Sequence, residues 1–199
     1  MADLFERYRR YKVRRLERLS HRIKPGKLLF FGDSITDFWP LKKHFAKYDP
    51  VNSGISGDTT CDLLARAEVC VYAYHPRAVV LLIGVNDIIN ENRKAAEIVE
   101  NIRLLLEEMQ AHGIKRILVQ SCYPTFGRFA SANEEILQLN DRLKELASAY
   151  GCLYADVHAA LLDPNGNALR EACSDDGLHP NKAGYAVAAA VLSDFLQVL

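Results

Sequence analysis

Residues 27–36 read KLLFFGDSIT, a short apolar run that ends at Gly32 and is followed almost at once by Ser34. The run is apolar at successive positions, which is typical of a strand covered on both faces in a parallel sheet. Gly32 permits a sharp turn directly after such a strand. The stretch therefore predicts a buried strand that carries a serine hydroxyl at its carboxyl end.

Similar apolar runs recur along the chain, and helical patterns lie between and after them. The runs are AVVLLI at 78–83, KRILVQ at 115–120 and CLYADV at 152–157, and a shorter strand is expected to end near Val51. The helical patterns cover 95–111, 133–150 and 181–198. This alternation predicts a doubly wound α/β sandwich around a parallel sheet, with right-handed crossovers. Ligands of such sheets bind beyond the carboxyl ends of the strands.

Composition narrows the classes of function. The chain has 199 residues, enough for one domain with a sizeable core, and no net charge. Ten of its 25 Lys and Arg lie within residues 1–27, so the remainder holds 15 basic against 22 acidic side chains and disfavours nucleic-acid binding. The five cysteines show no CxxC spacing, so neither a disulfide framework nor a metal site is expected.

The first residues form a predicted amphipathic helix that ends before Pro25. Its apolar positions are Leu4, Phe5, Tyr8, Tyr11, Leu16, Leu19 and Ile23, with arginines on the other face. Charges interrupt every apolar run, unlike a secretory signal or a membrane span, so a cytoplasmic location is expected. We treat residues 1–26 as an appendage of a domain over 27–199. Its stripe can pack on that domain or on a second subunit as a homodimer; contact with an anionic membrane is less favoured.

Polar motifs follow each of the first three strands. Ser34 is a candidate nucleophile, and the turn over 54–59, GISGDT, can direct backbone N–H groups at an anion. Asn86, in GVND after the next strand, carries a neutral amide that can donate to developing negative charge. Taken alone, each motif fits an ordinary turn or a helix cap at least as well as it fits a catalytic role. Their common position at strand carboxyl ends favours a shared site.

A carboxylate and an imidazole lie three residues apart in DGLHP, residues 176–180. This spacing lets Asp176 reach Nδ1 of His179 while Nε2 faces outward and accepts a proton from a serine. Asp176 can alternatively cap the last helix. His158 follows a predicted strand and is the competing base, but it has no carboxylate three residues before it.

The blocks FFGDSIT, NSGISGDTT, LLIGVND and DGLHP, in this order, resemble those of the SGNH (GDSL-type) hydrolase family, although the first reads GDSI instead of GDSL. The resemblance covers the chain from Lys27 onward. It implies a flavodoxin-like three-layer α/β/α sandwich and ester hydrolysis without a cofactor or a metal. It also implies that Ser34, His179 and Asp176 form a catalytic triad. The oxyanion hole would then consist of the backbone N–H groups of Ser34 and Gly57 and the Asn86 amide.

The substrate is the least determined feature. The loops over 37–40 and 122–126 are short, which favours a small ester such as an acetylated carbohydrate. The resemblance also admits lysophospholipases, thioesterases and relatives of platelet-activating-factor acetylhydrolase. Trp39 and Tyr123 are candidates for the substrate pocket, and core packing fits them at least as well. A non-catalytic binding module on the same fold and a flavin-binding protein are the rivals, the latter disfavoured because no phosphate-cradling run follows the first strand.

Overall fold

A computed structural model describes residues 2–166 and 169–198. Its strands are β1 (Leu28–Gly32), β2 (Val51–Gly54), β3 (Ala78–Leu82), β4 (Ile117–Gln120) and β5 (Leu153–Ala155). The longer helices are α1 (Ala2–Ser20), α4 (Thr60–Cys70), α6 (Ala95–Ala111), α7 (Asn133–Ala149) and α9 (Lys182–Leu196). Short helices are α2 (Ser34–Asp37), α3 (Leu41–Phe45), α5 (Val85–Glu91) and α8 (Val157–Leu161).

The strands form one parallel sheet in the order β2-β1-β3-β4-β5. Every residue of β1 and β3 is buried, as expected for central strands that are covered by helices on both faces. The predicted α/β sandwich with a central parallel sheet is confirmed. Because β2, β1 and β3 are neighbours, the segments that follow them meet at the same edge of the sheet.

The second strand differs from its prediction. It begins at Val51, where it was expected to end, and continues to Gly54. Its polar residues obscured it in the sequence, but both have backbone partners: Ser53 Oγ donates to the Cys70 carbonyl at 2.8 Å and Asn52 Nδ2 to the Thr36 carbonyl at 2.7 Å. A strand can therefore bury polar side chains once their hydrogen bonds are satisfied.

Two further elements differ from the sequence pattern. The last strand, β5, ends at Ala155 because Asp156 caps α8 and accepts a hydrogen bond from the Ala159 N–H at 3.0 Å. Helix α4 is not evident in the sequence, since it buries Arg66 on the same face as Leu63, Ala67 and Cys70. An arginine at a core position interrupts the apolar period from which a helix is predicted.

The N-terminal helix α1 packs on the rest of the chain, against α4. Leu16 is buried, and the Tyr74 hydroxyl donates to its carbonyl at 2.5 Å. Leu4, Phe5, Tyr11 and Leu19 stay exposed, so only part of the predicted apolar stripe is covered. No helix among the described residues has both the length and the apolar character needed to cross a membrane.

Candidate active site

Ser34 lies just beyond the carboxyl end of β1 and is the first residue of α2. The preceding residue, Asp33, caps that helix by accepting a hydrogen bond from the Ile35 N–H at 2.9 Å. Although only 6 % of Ser34 is exposed, its Oγ lies 2.9 Å from Nε2 of His179, which is 145 residues further along the chain. The fold thus brings together the predicted nucleophile and the predicted base.

His179 is oriented by Asp176, whose Oδ2 lies 2.7 Å from the imidazole Nδ1. The other carboxylate oxygen accepts hydrogen bonds from the backbone N–H groups of Leu178 and His179, at 2.9 and 2.8 Å. Partial burial raises the pKa of Asp176, but its hydrogen bonds outweigh burial and lower the pKa to about 2. An ionised Asp176 places the proton on Nδ1 and leaves Nε2 free to accept the serine proton.

The loop that carries this pair is fixed by Gly177. Its φ is +86°, and a Cβ at this position would lie 2.5 Å from the carbonyl oxygen of Phe126. The Phe126 N–H in turn donates to the Gly177 carbonyl at 2.9 Å. Glycine is therefore required in DGLHP for this loop to approach its neighbour closely.

Helix α9, which follows the histidine, is tied to the nucleophile helix. The Tyr185 hydroxyl on α9 donates to the carbonyl of Ile35 in α2 at 2.8 Å. This buried contact holds Ser34 near the Asp176–His179 pair, although the two come from opposite ends of the domain.

Gly57 and Asn86 lie in the segments that follow β2 and β3, the two neighbours of β1 in the sheet. Gly57 has a φ of +82°, a conformation that glycine adopts without strain. Asn86 Nδ2 donates at 2.9 Å to the backbone carbonyl of Asp58, the residue that follows Gly57. An amide nitrogen has two hydrogens, so one remains for a ligand. Asn86, in α5, is thus hydrogen-bonded to the loop that carries Gly57.

That loop is held by a buried ion pair that the sequence analysis missed. Arg66 Nε donates to Asp58 Oδ2 at 2.6 Å, and its Nη2 donates to the Gly32 carbonyl, at the end of β1, at 3.0 Å. Burial raises the pKa of Asp58 to about 6, against the opposing effect of Arg66. Arg66 in the apolar period of α4 was the one signal in the sequence, since a buried arginine requires a partner.

Asp33, beside the nucleophile, is also buried, and its two carboxylate oxygens differ in their hydrogen bonding. Its Oδ1 accepts the capping hydrogen bond, whereas Oδ2 has no hydrogen-bond partner within the described part of the chain. Burial, reinforced by the nearby carboxylates of Asp58 and Asp87, raises its pKa to about 7. Asp33 therefore costs stability when it ionises.

We expect Asp33→Asn to reduce the pH dependence of stability. The pKa of Asp33 is about 7 in the folded state, against an ordinary value of 3.8, so the folded protein holds this proton more tightly than the unfolded chain does. Its contribution to stability is full in acid and is lost as the pH rises through that folded pKa. Urea denaturation should show a smaller fall in unfolding free energy from about pH 5 to about pH 8 for the variant than for the wild type. Equal falls would contradict a raised pKa.

Trp39 and Tyr123, the candidates for the substrate pocket, are both almost fully buried and pack in the core. The Trp39 ring lies against Phe30 and Tyr185, at centroid distances of 5.9 and 5.1 Å. The Tyr123 hydroxyl donates to the buried Gln120 side chain at 2.8 Å. Both large rings gain more from apolar burial than from exposure at a rim. The exposed ring beside the triad is Phe38, 5.4 Å from the His179 ring between centroids.

His158, the competing base, lies beyond the edge strand β5 at the far side of the sheet from β1. Its backbone N–H donates to Ser121 Oγ at 2.7 Å, and burial lowers the pKa of its ring. The structure therefore brings His179, and not His158, to Ser34. No cluster of three His, Cys, Asp or Glu side chains suited to a metal ion occurs within 2–166 and 169–198.

Comparisons with known proteins identify a family and several similar structures. Residues 30–187 match the model of the GDSL-like lipase/acylhydrolase family. An acetylxylan esterase of Geobacillus stearothermophilus is 28% identical over 198 residues, covering 82% of this chain and 90% of that protein. Among solved structures, a Streptococcus pneumonia protein provisionally assigned as a platelet activating factor has a TM-score of 0.89 at 28% identity, covering 98% of this chain and 95% of its own.

A crystal structure of Axe2, an acetylxylan esterase from Geobacillus stearothermophilus, has a TM-score of 0.70 at 26% identity and covers 88% of this chain and 95% of its own. The family match spans all four sequence motifs, from Phe30 of FFGDSIT to Pro180 of DGLHP. The chain is a member of the GDSL-like lipase/acylhydrolase family and an enzyme that hydrolyses esters.

Proposed function

We propose that this enzyme is a serine esterase that removes short acyl groups, acetyl in particular, from carbohydrates through an acyl-enzyme. The observation that carries the proposal is the relay from Ser34 Oγ to His179 Nε2, at 2.9 Å, and from His179 Nδ1 to Asp176, at 2.7 Å. A hydroxyl, a base and an orienting carboxylate at these distances constitute an activated nucleophile.

The reaction follows from these positions. Ser34 Oγ attacks the ester carbonyl carbon as its proton passes to Nε2 of His179. The negative carbonyl oxygen is bound by the backbone N–H groups of Ser34 and Gly57 and by the Asn86 amide. The C–O bond then breaks, and the imidazolium returns the proton to the departing alcohol. Water, deprotonated by His179, attacks the acyl-enzyme and releases the acid and Ser34.

An open site on the side of the leaving alcohol supports a carbohydrate. The His179 side chain is 30% exposed and that of Asp176 is 45% exposed, so an alcohol leaving beside the imidazole faces solvent. The exposed ring of Phe38 next to His179 offers an apolar surface for a sugar ring. The similarity to acetylxylan esterases points to the same class of substrate.

A second candidate substrate is an acetylated phospholipid. The observation that favours it is the TM-score of 0.89 with the Streptococcus pneumonia protein, whose match includes nearly the whole of this chain. Both candidates require a site for a short acyl group, and they differ only in the alcohol. Thioesters and lysophospholipids complete the set of substrates to be compared.

The substrate is tested by comparing kcat/KM for acetylated xylo-oligosaccharides, an acetylated phospholipid, a lysophospholipid and an acyl thioester. We expect the acetylated oligosaccharide to be the best of these, and p-nitrophenyl acetate to exceed p-nitrophenyl octanoate by about tenfold or more, because several extra methylenes do not fit a short-acyl site. Faster hydrolysis of either lipid would assign the enzyme to lipid substrates, and preference for octanoate would exclude a short-acyl esterase.

Asn86→Ala is expected to lower kcat by about a hundredfold to a thousandfold with little change in KM, because one donor to the transition-state oxyanion is lost. Asn86→Asp has the same size but places a carboxylate at the oxyanion, so its kcat should be at least as low. Steady-state kinetics with p-nitrophenyl acetate measure both values. Full turnover by Asn86→Ala with an unchanged KM would remove Asn86 from the oxyanion hole.

A further inference from the structure

Helix α1 contacts the end of the nucleophile helix at the carboxylate of Asp37. The Tyr8 hydroxyl donates to Asp37 Oδ2 at 2.6 Å, and Lys12 Nζ donates to Asp37 Oδ1 at 2.5 Å. The backbone N–H and hydroxyl of Ser56, in the loop that carries Gly57, donate to the same Oδ2 at 3.1 and 2.9 Å. Asp37 thus connects α1, α2 and the oxyanion loop, and its side chain is only 5% exposed.

A second contact joins α1 to the oxyanion loop directly. Arg9 Nε lies 3.0 Å from Oδ1 of Asp58, whose side chain is fully buried, and Arg9 Nη1 donates to Asp62 Oδ1 at 2.5 Å. The backbone carbonyl of Asp58 accepts the hydrogen bond from Asn86. Arg9 therefore holds the residue that links Gly57 to Asn86. A charge pair with one fully buried partner constrains position much more than an exposed pair does.

The third contact places an aromatic ring over the oxyanion loop. A Cβ added at Gly57 would lie 3.8 Å from Cδ1 of Phe5, which is van der Waals contact. Phe5 is 58% exposed, although a ring of this size gains from burial. An exposed ring fixed beside a catalytic loop has a surface that a substrate can cover.

We propose that α1 is part of the active site, with Phe5 forming the acyl-side wall of the substrate pocket and Tyr8, Arg9 and Lys12 locking that wall to the catalytic loops. The side follows from the chemistry: His179 must protonate the departing alcohol, so the alcohol lies on the His179 side, beside Phe38. Phe5 lies beside Gly57, a proposed oxyanion donor, and we place the acyl group against its exposed ring. This inference rests on the proposed ester hydrolysis, and it replaces the description of residues 1–26 as an appendage.

The wall is tested with p-nitrophenyl acetate and butyrate as substrates for Phe5→Ala, Phe5→Leu and the wild type. For Phe5→Ala we expect KM to rise about fivefold with butyrate and less than about twofold with acetate, because acetate has fewer methylenes to contact the ring. For Phe5→Leu, the increase in log KM for butyrate should be about half of that in Phe5→Ala. Tyr11→Ala removes an equally exposed ring elsewhere on α1 and should leave both KM values unchanged.

The positioning role of the α1 contacts with the catalytic loops, here called the lock, is tested with Arg9→Met. We expect kcat to fall about tenfold with KM nearly constant, because a small displacement of the oxyanion donors affects the transition state more than the bound ester. Arg9→Lys restores one ion pair and should recover part of kcat. Arg10→Met removes a guanidinium that pairs only with the exposed Glu6 within the described contacts, and it should retain wild-type kcat.

The possible results separate this inference from the proposed function. The proposed role of Phe5 is overturned if the wild type hydrolyses both esters and the ratio of KM for butyrate to KM for acetate is the same in Phe5→Ala as in Tyr11→Ala. Equal kcat values in Arg9→Met and Arg10→Met overturn the lock. A wild type that hydrolyses neither ester contradicts the proposed short-acyl activity and this inference together. Thermal denaturation of each variant distinguishes a local effect on kcat from loss of the folded protein.

Discussion

Replacing Ser34 by alanine is expected to lower the rate of p-nitrophenyl acetate hydrolysis about a thousandfold or more, to near background. The substitution removes the one oxygen that can attack the ester, and no other hydroxyl lies at hydrogen-bond distance from His179 Nε2 among the described contacts. It deletes a single atom from the first turn of α2, where Asp33 remains to cap the helix. The loss should therefore appear in kcat without loss of the fold.

Ser148→Ala is a matched control, because Ser148 is an exposed serine on α7. It should keep the wild-type rate, and circular dichroism should be the same for both variants. Equal esterase rates in the wild type and in Ser34→Ala would place the nucleophile elsewhere.

His179→Ala is expected to reduce kcat about as much as Ser34→Ala does, by about a thousandfold or more, because the triad acts as a unit. Without the imidazole, no base takes the proton from Ser34, and no acid protonates the alcohol. The removed ring was partly open to solvent, so added imidazole can enter the space that it leaves. We expect imidazole to restore part of the rate in this variant and to have no comparable effect on Ser34→Ala.

His21→Ala, at an exposed position that follows α1, is the control for removal of a histidine. Its rate should match that of the wild type. Retention of the full rate by His179→Ala, together with a large loss in a His158 variant, would transfer the role of base to His158.

The fold could be predicted where a strand or helix has a regular apolar pattern. The successive apolar residues of β1 and β3 indicate burial on both faces, and both strands are central in the sheet. The pattern fails for β2 and α4 because Asn52, Ser53 and Arg66 are polar and nevertheless inward. Their partners are carbonyl groups and carboxylates that only the folded chain brings close, so the sequence does not identify these partners.

The same distinction applies to the candidate site. Asp176 and His179 are close in the chain, so their hydrogen bond could be anticipated from a short motif. The contacts of Arg9 with Asp58 and of Tyr8 with Asp37 join α1 to a loop and a helix that are distant in the sequence. Charged side chains on a helix usually face solvent. Nothing in the sequence of α1 distinguishes Arg9, which pairs with a buried carboxylate, from the other arginines of this helix.

The identity of the nucleophile is tested most directly by covalent labelling with a short alkylphosphonate p-nitrophenyl ester, in which an activated serine displaces p-nitrophenolate. Trypsin releases Ser34 in the peptide 28–42, whose mass reports the phosphonyl adduct. We expect loss of esterase activity to parallel labelling of Ser34, and His179→Ala to be labelled far more slowly. Complete inactivation with Ser34 unmodified, or with the label on another residue, would contradict this expectation.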